Sequence, residues 1–141
     1  MVVARTCFFD EVVGKAAEYD IAQIVIMGAG FDTRAYRFQD SLDDTVVYEL
    51  DLPEIQSIKV ERLKNMQITH PGNIRYVPID FTKDVLFDKL EEAGYSSSER
   101  SLFLWEGVTE YLTDEVVDST MSSIRDNAPS GSLLAFSYIY R

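Results

Sequence analysis

Cysteine and histidine are nearly absent from this sequence of 141 residues, which contains one of each, Cys7 and His70. A single cysteine excludes an internal disulfide, and these two residues supply too few ligands for a structural zinc site. We expect Cys7 to be buried as a small apolar residue and His70 to be exposed in a loop. The scarcity of cysteine also favours a reducing, cytoplasmic setting.

Positive charge is also scarce, because 13 Lys and Arg residues stand against 24 Asp and Glu residues and give a formal net charge of −11. Such an acidic chain, with no basic cluster, is unsuited to nucleic-acid phosphates or to an anionic membrane surface. No apolar run reaches the length of a membrane span, and the N-terminus lacks a basic region followed by an apolar core. We therefore expect neither a nucleic acid nor a membrane as a partner.

What the sequence does contain is a regular alternation of short apolar runs and helix-like segments within a single domain, residues 1–141. Strands are predicted at 24–27, 46–51, 75–79, 102–105 and 133–138. Helices are predicted at 5–20 and 33–38, and then from 53, 83 and 113 onward. This rhythm predicts a doubly wound α/β fold with a mainly parallel sheet of about five strands.

Two helix details can be predicted from the same pattern. Thr6 and Thr113 are expected to be N-caps, because a threonine hydroxyl can accept a hydrogen bond from the free amides of the first helical turn. The helix that begins at Pro53 is expected to face the sheet with its apolar residues, which are Ile55, Ile58, Leu63 and Met66.

The first predicted strand runs directly into Gly28-Ala29-Gly30. An apolar run without polar alternation is typical of a strand that is buried on both faces of a parallel sheet. Glycines at the carboxyl end of such a strand allow a tight turn and a close approach of the backbone to a ligand. This turn is therefore the first candidate for a binding site.

Three later strands end in a carboxylate, at Asp51, Asp80 and Glu106. In an open α/β sheet the ligand crevice lies outside the carboxyl ends of the strands, next to the glycine turn. Each acid alone could simply cap the following helix. Their joint position after three strands instead predicts a shared ligand site.

An acid at position 51 would fit a ribose diol, which both a nicotinamide dinucleotide and S-adenosylmethionine carry. Charge distinguishes between these two ligands. Asp32 would repel a diphosphate, and a dinucleotide requires room for its pyrophosphate at a helix N-terminus. S-adenosylmethionine carries a sulfonium and an amine that suit acidic surroundings, and Arg5 or Arg34 is available for its carboxylate. The sequence therefore favours S-adenosylmethionine.

Three segments together resemble the leucine carboxyl methyltransferase superfamily, which comprises S-adenosylmethionine-dependent O-methyltransferases with the class I Rossmann-like fold. The segments are Gly28 to Arg37, Tyr48 to Pro53 with Lys59, and Glu106 to Leu112. Residues 3–10 are similar to the family's stretch just before the first strand. The resemblance covers nearly the whole chain, with the segments in the family's order.

The resemblance implies roles for individual residues around the cofactor. Arg5 matches the arginine that pairs with the methionyl carboxylate, and Gly28 begins the turn beside the methionyl part. Asp51 matches the ribose-binding acid, and Glu106 matches an acid at the amino end of the cofactor. Asp80 with Phe81 matches the pair that meets the adenine. The predicted cofactor-binding set is Arg5, Gly28, Ala29, Gly30, Asp51, Leu52, Asp80, Phe81 and Glu106.

The resemblance implies a helical segment before Arg5 and further strands with an inserted cap region after Tyr140, and we expect this chain to lack both. These parts supply much of the acceptor pocket in the family. A five-stranded sheet with an uncovered apolar edge would also favour a homo-oligomer.

The leading interpretation is an O-methyltransferase acting on a carboxylate or hydroxyl of a small molecule or a protein. A carboxylate acceptor needs no general base at pH 7, so no catalytic residue is assigned. A non-catalytic cofactor-binding core and an NAD-binding oxidoreductase are the alternatives.

Overall fold

A computed structural model describes residues 2–139, and it contains the predicted parallel sheet. Its strands are β1 (Gln23–Met27), β2 (Val46–Asp51), β3 (Ile74–Pro78), β4 (Ser101–Trp105) and β5 (Leu133–Phe136). Its helices are α1 (Val2–Gly14), α2 (Arg34–Arg37), α3 (Pro53–Asn65), α4 (Leu86–Glu92) and α5 (Asp114–Asn127). Short 3₁₀ turns occur at Ala16–Tyr19, Gln39–Ser41 and Thr109–Tyr111. The doubly wound α/β prediction is confirmed.

All five strands are parallel and lie in the order β3-β2-β1-β4-β5. The chain therefore moves outward from β1 to β3, then crosses back to place β4 on the other side of β1. Strands β2 and β4 thus follow on opposite sides of β1, and the position between β1 and β4 is the topological switch point. At such a point α/β sheets open a crevice at the carboxyl ends of their strands.

The core lies on both faces of the sheet, and β1 and β4 are buried along their whole length. Because successive strand residues point to opposite faces, Ile24 and Ile26 join one apolar cluster and Val25 and Met27 join the other. The first cluster includes Phe9 and Val13 of α1. The second is rich in aromatic residues contributed by β2, β4 and the α4 region, which are Tyr48, Phe87, Tyr95, Phe103 and Trp105.

Helix α3 faces the sheet with a stripe that is rotated from the one its apolar pattern predicted and overlaps it only in part. Its buried residues are Gln56 and Lys59, whereas Ile58 is 42% exposed and Met66 is 63% exposed. Ile55 and Leu63 are only half-buried. The prediction was wrong for Ile58 and Met66, because Gln56 takes the position against the sheet and donates hydrogen bonds to backbone carbonyls, which offset the cost of burying a polar side chain.

Smaller expectations near the N-terminus also require correction. Thr6 lies inside α1 and is not its N-cap, because the helix already begins at Val2. Cys7 is exposed on the surface of this helix, so its expected burial was wrong. His70 is exposed, as predicted. Thr113 is the residue that precedes α5, although its side chain makes no capping hydrogen bond.

Within residues 2–139, no helix combines the length and the apolar character that a membrane crossing requires.

Candidate functional site

The glycine turn follows β1 directly and has the backbone conformation that the sequence predicted. Gly28 has a φ of +68° and Gly30 a φ of +47°, values that favour glycine. A Cβ atom built on Gly28 would lie 2.4 Å from Cγ2 of Val108, so no larger residue fits there without displacing that side chain. The turn is held to β2 by the amide of Ala29, which donates to the carbonyl of Leu50 at 2.9 Å.

Asp51, at the end of β2, is fixed in orientation by two backbone amides. The Gly30 N–H donates to Oδ2 at 2.7 Å, and the Leu52 N–H donates to Oδ1 at 2.7 Å. Each carboxylate oxygen retains a lone pair for a further donor. A carboxylate oriented in this way beside a glycine turn can accept hydrogen bonds from a vicinal diol.

Beside the turn lies a crevice of about 300 Å³ at the switch point between β1 and β4. Four of the predicted cofactor-binding residues line it, and these are Arg5, Gly28, Ala29 and Glu106. Asp51 adjoins the crevice through its hydrogen bond to Gly30. Of the predicted residues, the structure therefore brings Gly28, Ala29, Arg5 and Glu106 together in a single cavity, whereas Gly30 is not part of its lining.

An ion-pair network forms one wall of the crevice, and Arg34 lies at its centre. Arg34 is 4% exposed, and its Nε atom lies 2.8 Å from Oδ1 of Asp10. Its Nη1 atom pairs with Asp32 and also lies 2.8 Å from Oε2 of Glu106. The other oxygen of Glu106, Oε1, lies 3.0 Å from Nε of Arg5.

Asp80 and Phe81 do not line this crevice. Asp80 accepts hydrogen bonds from the Thr82 amide at 2.9 Å and the Thr82 hydroxyl at 2.6 Å. These hydrogen bonds, together with Lys83, lower the pKa of Asp80 from its usual value. Phe81 packs against Trp105 at 6.2 Å between ring centroids. Leu52 lies outside the crevice as well and is 42% exposed.

A second ionic group lies behind the turn. Lys59 of α3 pairs with Glu49 of β2 and donates to the backbone carbonyl of Asp32 at 2.6 Å. Both residues are buried, Lys59 at 4% exposure and Glu49 at 1%. Burial raises the pKa of Glu49 to about 7, although the charge of Lys59 acts in the opposite direction.

Comparison of the sequence with models of protein families identifies the family. A family model described as leucine carboxyl methyltransferase matches residues 1–125. The chain belongs to the leucine carboxyl methyltransferase family. The resemblance inferred from three separate segments of sequence is thereby confirmed.

A curated member of similar sequence is a Bacillus subtilis (strain 168) protein named "Putative S-adenosyl-L-methionine-dependent methyltransferase YktD". The two sequences are 33% identical over 136 residues, which cover 96% of this chain and 44% of that protein. The chain therefore spans less than half the length of this relative.

Solved structures of other methyltransferases share the fold. A protein from Thermobifida fusca YX, described as a putative methyltransferase, superimposes with a TM-score of 0.71 at 19% identity, covering 94% of this chain and 51% of that one. Human N-acetylserotonin methyltransferase in complex with SAM gives a TM-score of 0.62 at 15% identity, covering 89% of this chain and 32% of that one. At these identities the likeness concerns the fold alone.

The structure changes the expected charges around this crevice. Asp32 and Glu106 were expected to act as free negative charges, but both are paired with Arg34. The sequence also gave no reason to connect Asp10 of α1 with the site. Asp10 binds both Arg34 and Arg37, which lie on one short helix. The spacing of these two arginines is a signal in the sequence that a carboxylate could bridge them.

Proposed function

We propose that this chain binds S-adenosylmethionine at the carboxyl ends of β1, β2 and β4, as part of a methyltransferase. The observation that carries the proposal is the Asp51 carboxylate, which two backbone amides orient beside the glycine turn. The ribose diol would donate to Asp51, and the amino-acid end would lie in the crevice between Arg5 and Glu106. The name of the Bacillus subtilis relative supports the same cofactor.

The remaining predicted residues would serve the adenine end. Asp80 and Phe81 follow β3, at the same edge of the sheet as Asp51. Phe81 is half-buried and rests against Trp105, so one face of its ring is supported for stacking. Gly28, Ala29 and Gly30 would provide the close backbone approach, and Leu52 would provide apolar contact at the rim.

The reaction we propose is methyl transfer to a carboxylate or hydroxyl oxygen of a small molecule or a protein. S-adenosylmethionine, held by Asp51, Arg5 and Glu106, would supply a methyl group on an electrophilic sulfonium, and a hydroxyl acceptor would have to release its proton to solvent. A carboxylate acceptor is already ionised at neutral pH, so it needs no general base. The protein's contribution is then to align donor and acceptor and to exclude water.

We expect this chain to bind the cofactor and to turn over slowly. Phe31, which lines the crevice, is 52% exposed, and Tyr111 after β4 is 82% exposed. Water therefore reaches the side from which an acceptor would approach, and alignment of an acceptor in open solvent is poor. A non-catalytic cofactor-binding protein is the second candidate, and this exposure favours it.

Calorimetric titration with S-adenosylhomocysteine and, separately, with NAD tests the cofactor. Tight binding of S-adenosylhomocysteine with weak or absent binding of NAD supports the proposal, and equal affinities contradict it. Incubation with labelled S-adenosylmethionine and a panel of carboxylic acids then tests turnover. Binding without transfer would identify the non-catalytic alternative, and fast transfer would show that the described crevice suffices for an acceptor.

A further inference from the structure

Arg34 has the largest number of carboxylate partners among the residues around the crevice that the structure describes. Its guanidinium pairs with Asp10, Asp32 and Glu106, which belong to α1, the glycine-turn loop and the end of β4. Its own amide also donates to Oδ1 of Asp32 at 2.7 Å. A planar guanidinium has five donors in a fixed arrangement, so it can bridge three carboxylates where a lysine ammonium offers a single charged point.

Glu106 is held from two sides, and the two holders differ in exposure. Arg34 contacts Oε2 and its side chain is 5% exposed. Arg5 contacts Oε1 and its side chain is 35% exposed. A partly exposed ion pair is easily exchanged for another partner, whereas a buried arginine with three carboxylates is costly to move.

We propose that Arg34 is a positioning residue for the amino-acid end of the cofactor, acting through Glu106. When the ligand's carboxylate takes Arg5 and its ammonium takes Oε1 of Glu106, Arg34 keeps Glu106 in place through Oε2. This inference rests on the proposed function, and it adds a residue with no assigned contact to the ligand. It also gives a reason for the burial of Arg34, the first residue of α2.

The inference predicts an effect that depends on which part of the ligand is present. None of the contacts described for the Arg34 side chain involves Asp51, which is expected to bind the ribose. A change at Arg34 should therefore weaken ligands that carry the amino-acid end and spare ligands that lack it. S-adenosylhomocysteine and 5′-methylthioadenosine form such a pair, because they share adenosine and a thioether and differ in that end.

The test is calorimetry of both ligands with the full chain and with Arg34→Lys. We expect the affinity for S-adenosylhomocysteine to fall about tenfold or more, as for the loss of a charge-assisted hydrogen bond. The affinity for 5′-methylthioadenosine should change by less than about threefold. Arg125→Lys is the control, since Arg125 lies in α5, is not part of the crevice lining and makes only an exposed ion pair with Asp126 among the contacts described for its side chain. It should leave the ratio of the two affinities unchanged.

Each outcome separates this inference from the proposed function. Failure of the unsubstituted chain to bind either ligand contradicts the proposed function. Binding of both ligands by the unsubstituted chain, with equal losses or no loss in Arg34→Lys, overturns the role of Arg34 alone. If Arg34→Lys does not fold, the side-chain N–H signal of Arg34 is followed by NMR in the unsubstituted chain. It should shift with S-adenosylhomocysteine and not with 5′-methylthioadenosine, and equal shifts overturn the inference.

Discussion

Two ionic clusters hold the Asp32 end of the glycine turn from opposite sides, and they differ in how much water reaches them. The inner cluster is Lys59 with Glu49, and Lys59 also donates to the Asp32 carbonyl. The outer cluster is Arg34 with Asp10, Asp32 and Glu106, together with Arg5 and Arg37. The inner pair is nearly dry, whereas the Arg5 and Arg37 side chains of the outer cluster are 35% and 45% exposed.

This difference separates a structural task from a binding task. A dry ion pair cannot exchange partners with solvent or ligand, so the inner cluster serves to fix the turn against β2 and α3. Oε1 of Glu49 is buried with no hydrogen-bond partner, which makes the pair costly to hold and sensitive to change. The outer cluster opens onto the crevice, where its charges can be transferred to a ligand.

Removing the inner cation should give the largest effect. Lys59→Met leaves the Glu49 carboxylate buried without a charge partner, so we expect the free energy of unfolding at pH 8 to fall by about 3–5 kcal/mol. Denaturation by urea measures the change. Lys64→Met is the matched control, because Lys64 is exposed on the same helix and should change stability little. A loss no larger than in the control would show that the pair does not anchor the turn.

The second-largest effect should be the contribution of Glu49 to the pH dependence of the free energy of unfolding. Its pKa is about 7 in the folded protein, above its value of 4.5 in the unfolded chain, so its contribution favours folding at low pH. That contribution is lost as the pH rises from about 4.5 to about 7, and it amounts to about 3 kcal/mol. Relative to Glu49→Gln, the unsubstituted chain should therefore become less stable over this interval.

The comparison with Glu49→Gln is needed because other carboxylates act in the opposite direction. The hydrogen bond from Arg37 lowers the pKa of Asp10, so the stability that Asp10 contributes is lost as the pH falls. Urea denaturation of both proteins at several pH values isolates the part due to Glu49. A constant difference between them would contradict the raised pKa.

The fold, and the residues Arg5 and Glu106 of the outer cluster, were predictable from sequence, because they depend on local patterns. Unbroken apolar runs marked β1 and β4, and the glycines after β1 marked the turn. Strand-end acids identified Asp51 and Glu106, since parallel strands bring their carboxyl ends to one edge of the sheet. Each of these patterns involves residues that are close together in the chain, and over such short distances hydrophobic periodicity and turn-forming residues can be recognised from the sequence.

The inner cluster was not predictable, because it depends on partners that are distant in sequence. Glu49 lies in a strand and Lys59 in a helix, and a sequence pattern treats both as solvent-facing polar residues. Their burial together made the expected apolar face of α3 wrong, since Ile58 and Met66 then turn outward. Asp10 was missed for the same reason, as it reaches Arg34 from a helix 24 residues away.

Asp51 provides a third attachment of the turn, and its loss should affect binding more than stability. Asp51→Ala removes the acceptor of the Gly30 and Leu52 amides and the proposed acceptor of the ribose hydroxyls. We expect S-adenosylhomocysteine to bind about 1.5–3 kcal/mol more weakly, which is roughly ten- to a hundredfold. Because Asp51 is only half-buried at a strand end, the fold should persist. Calorimetry measures the affinity, and an unchanged value in a folded variant would remove Asp51 from the site.

Arg5 should show the smallest effect on stability and therefore gives the sharpest contrast with Lys59. Its ion pair with Glu106 is partly exposed, and such pairs contribute about 0–1 kcal/mol to folding. Arg5→Gln should stay within that range in urea denaturation but weaken S-adenosylhomocysteine binding about tenfold, because the ligand carboxylate loses its cation. Arg125→Gln is the control, since it breaks an exposed ion pair with Asp126 far from the crevice and should alter neither quantity. If Arg5→Gln destabilised the fold as much as Lys59→Met, the outer cluster would be a structural anchor like the inner one, and the division of tasks between them would be wrong.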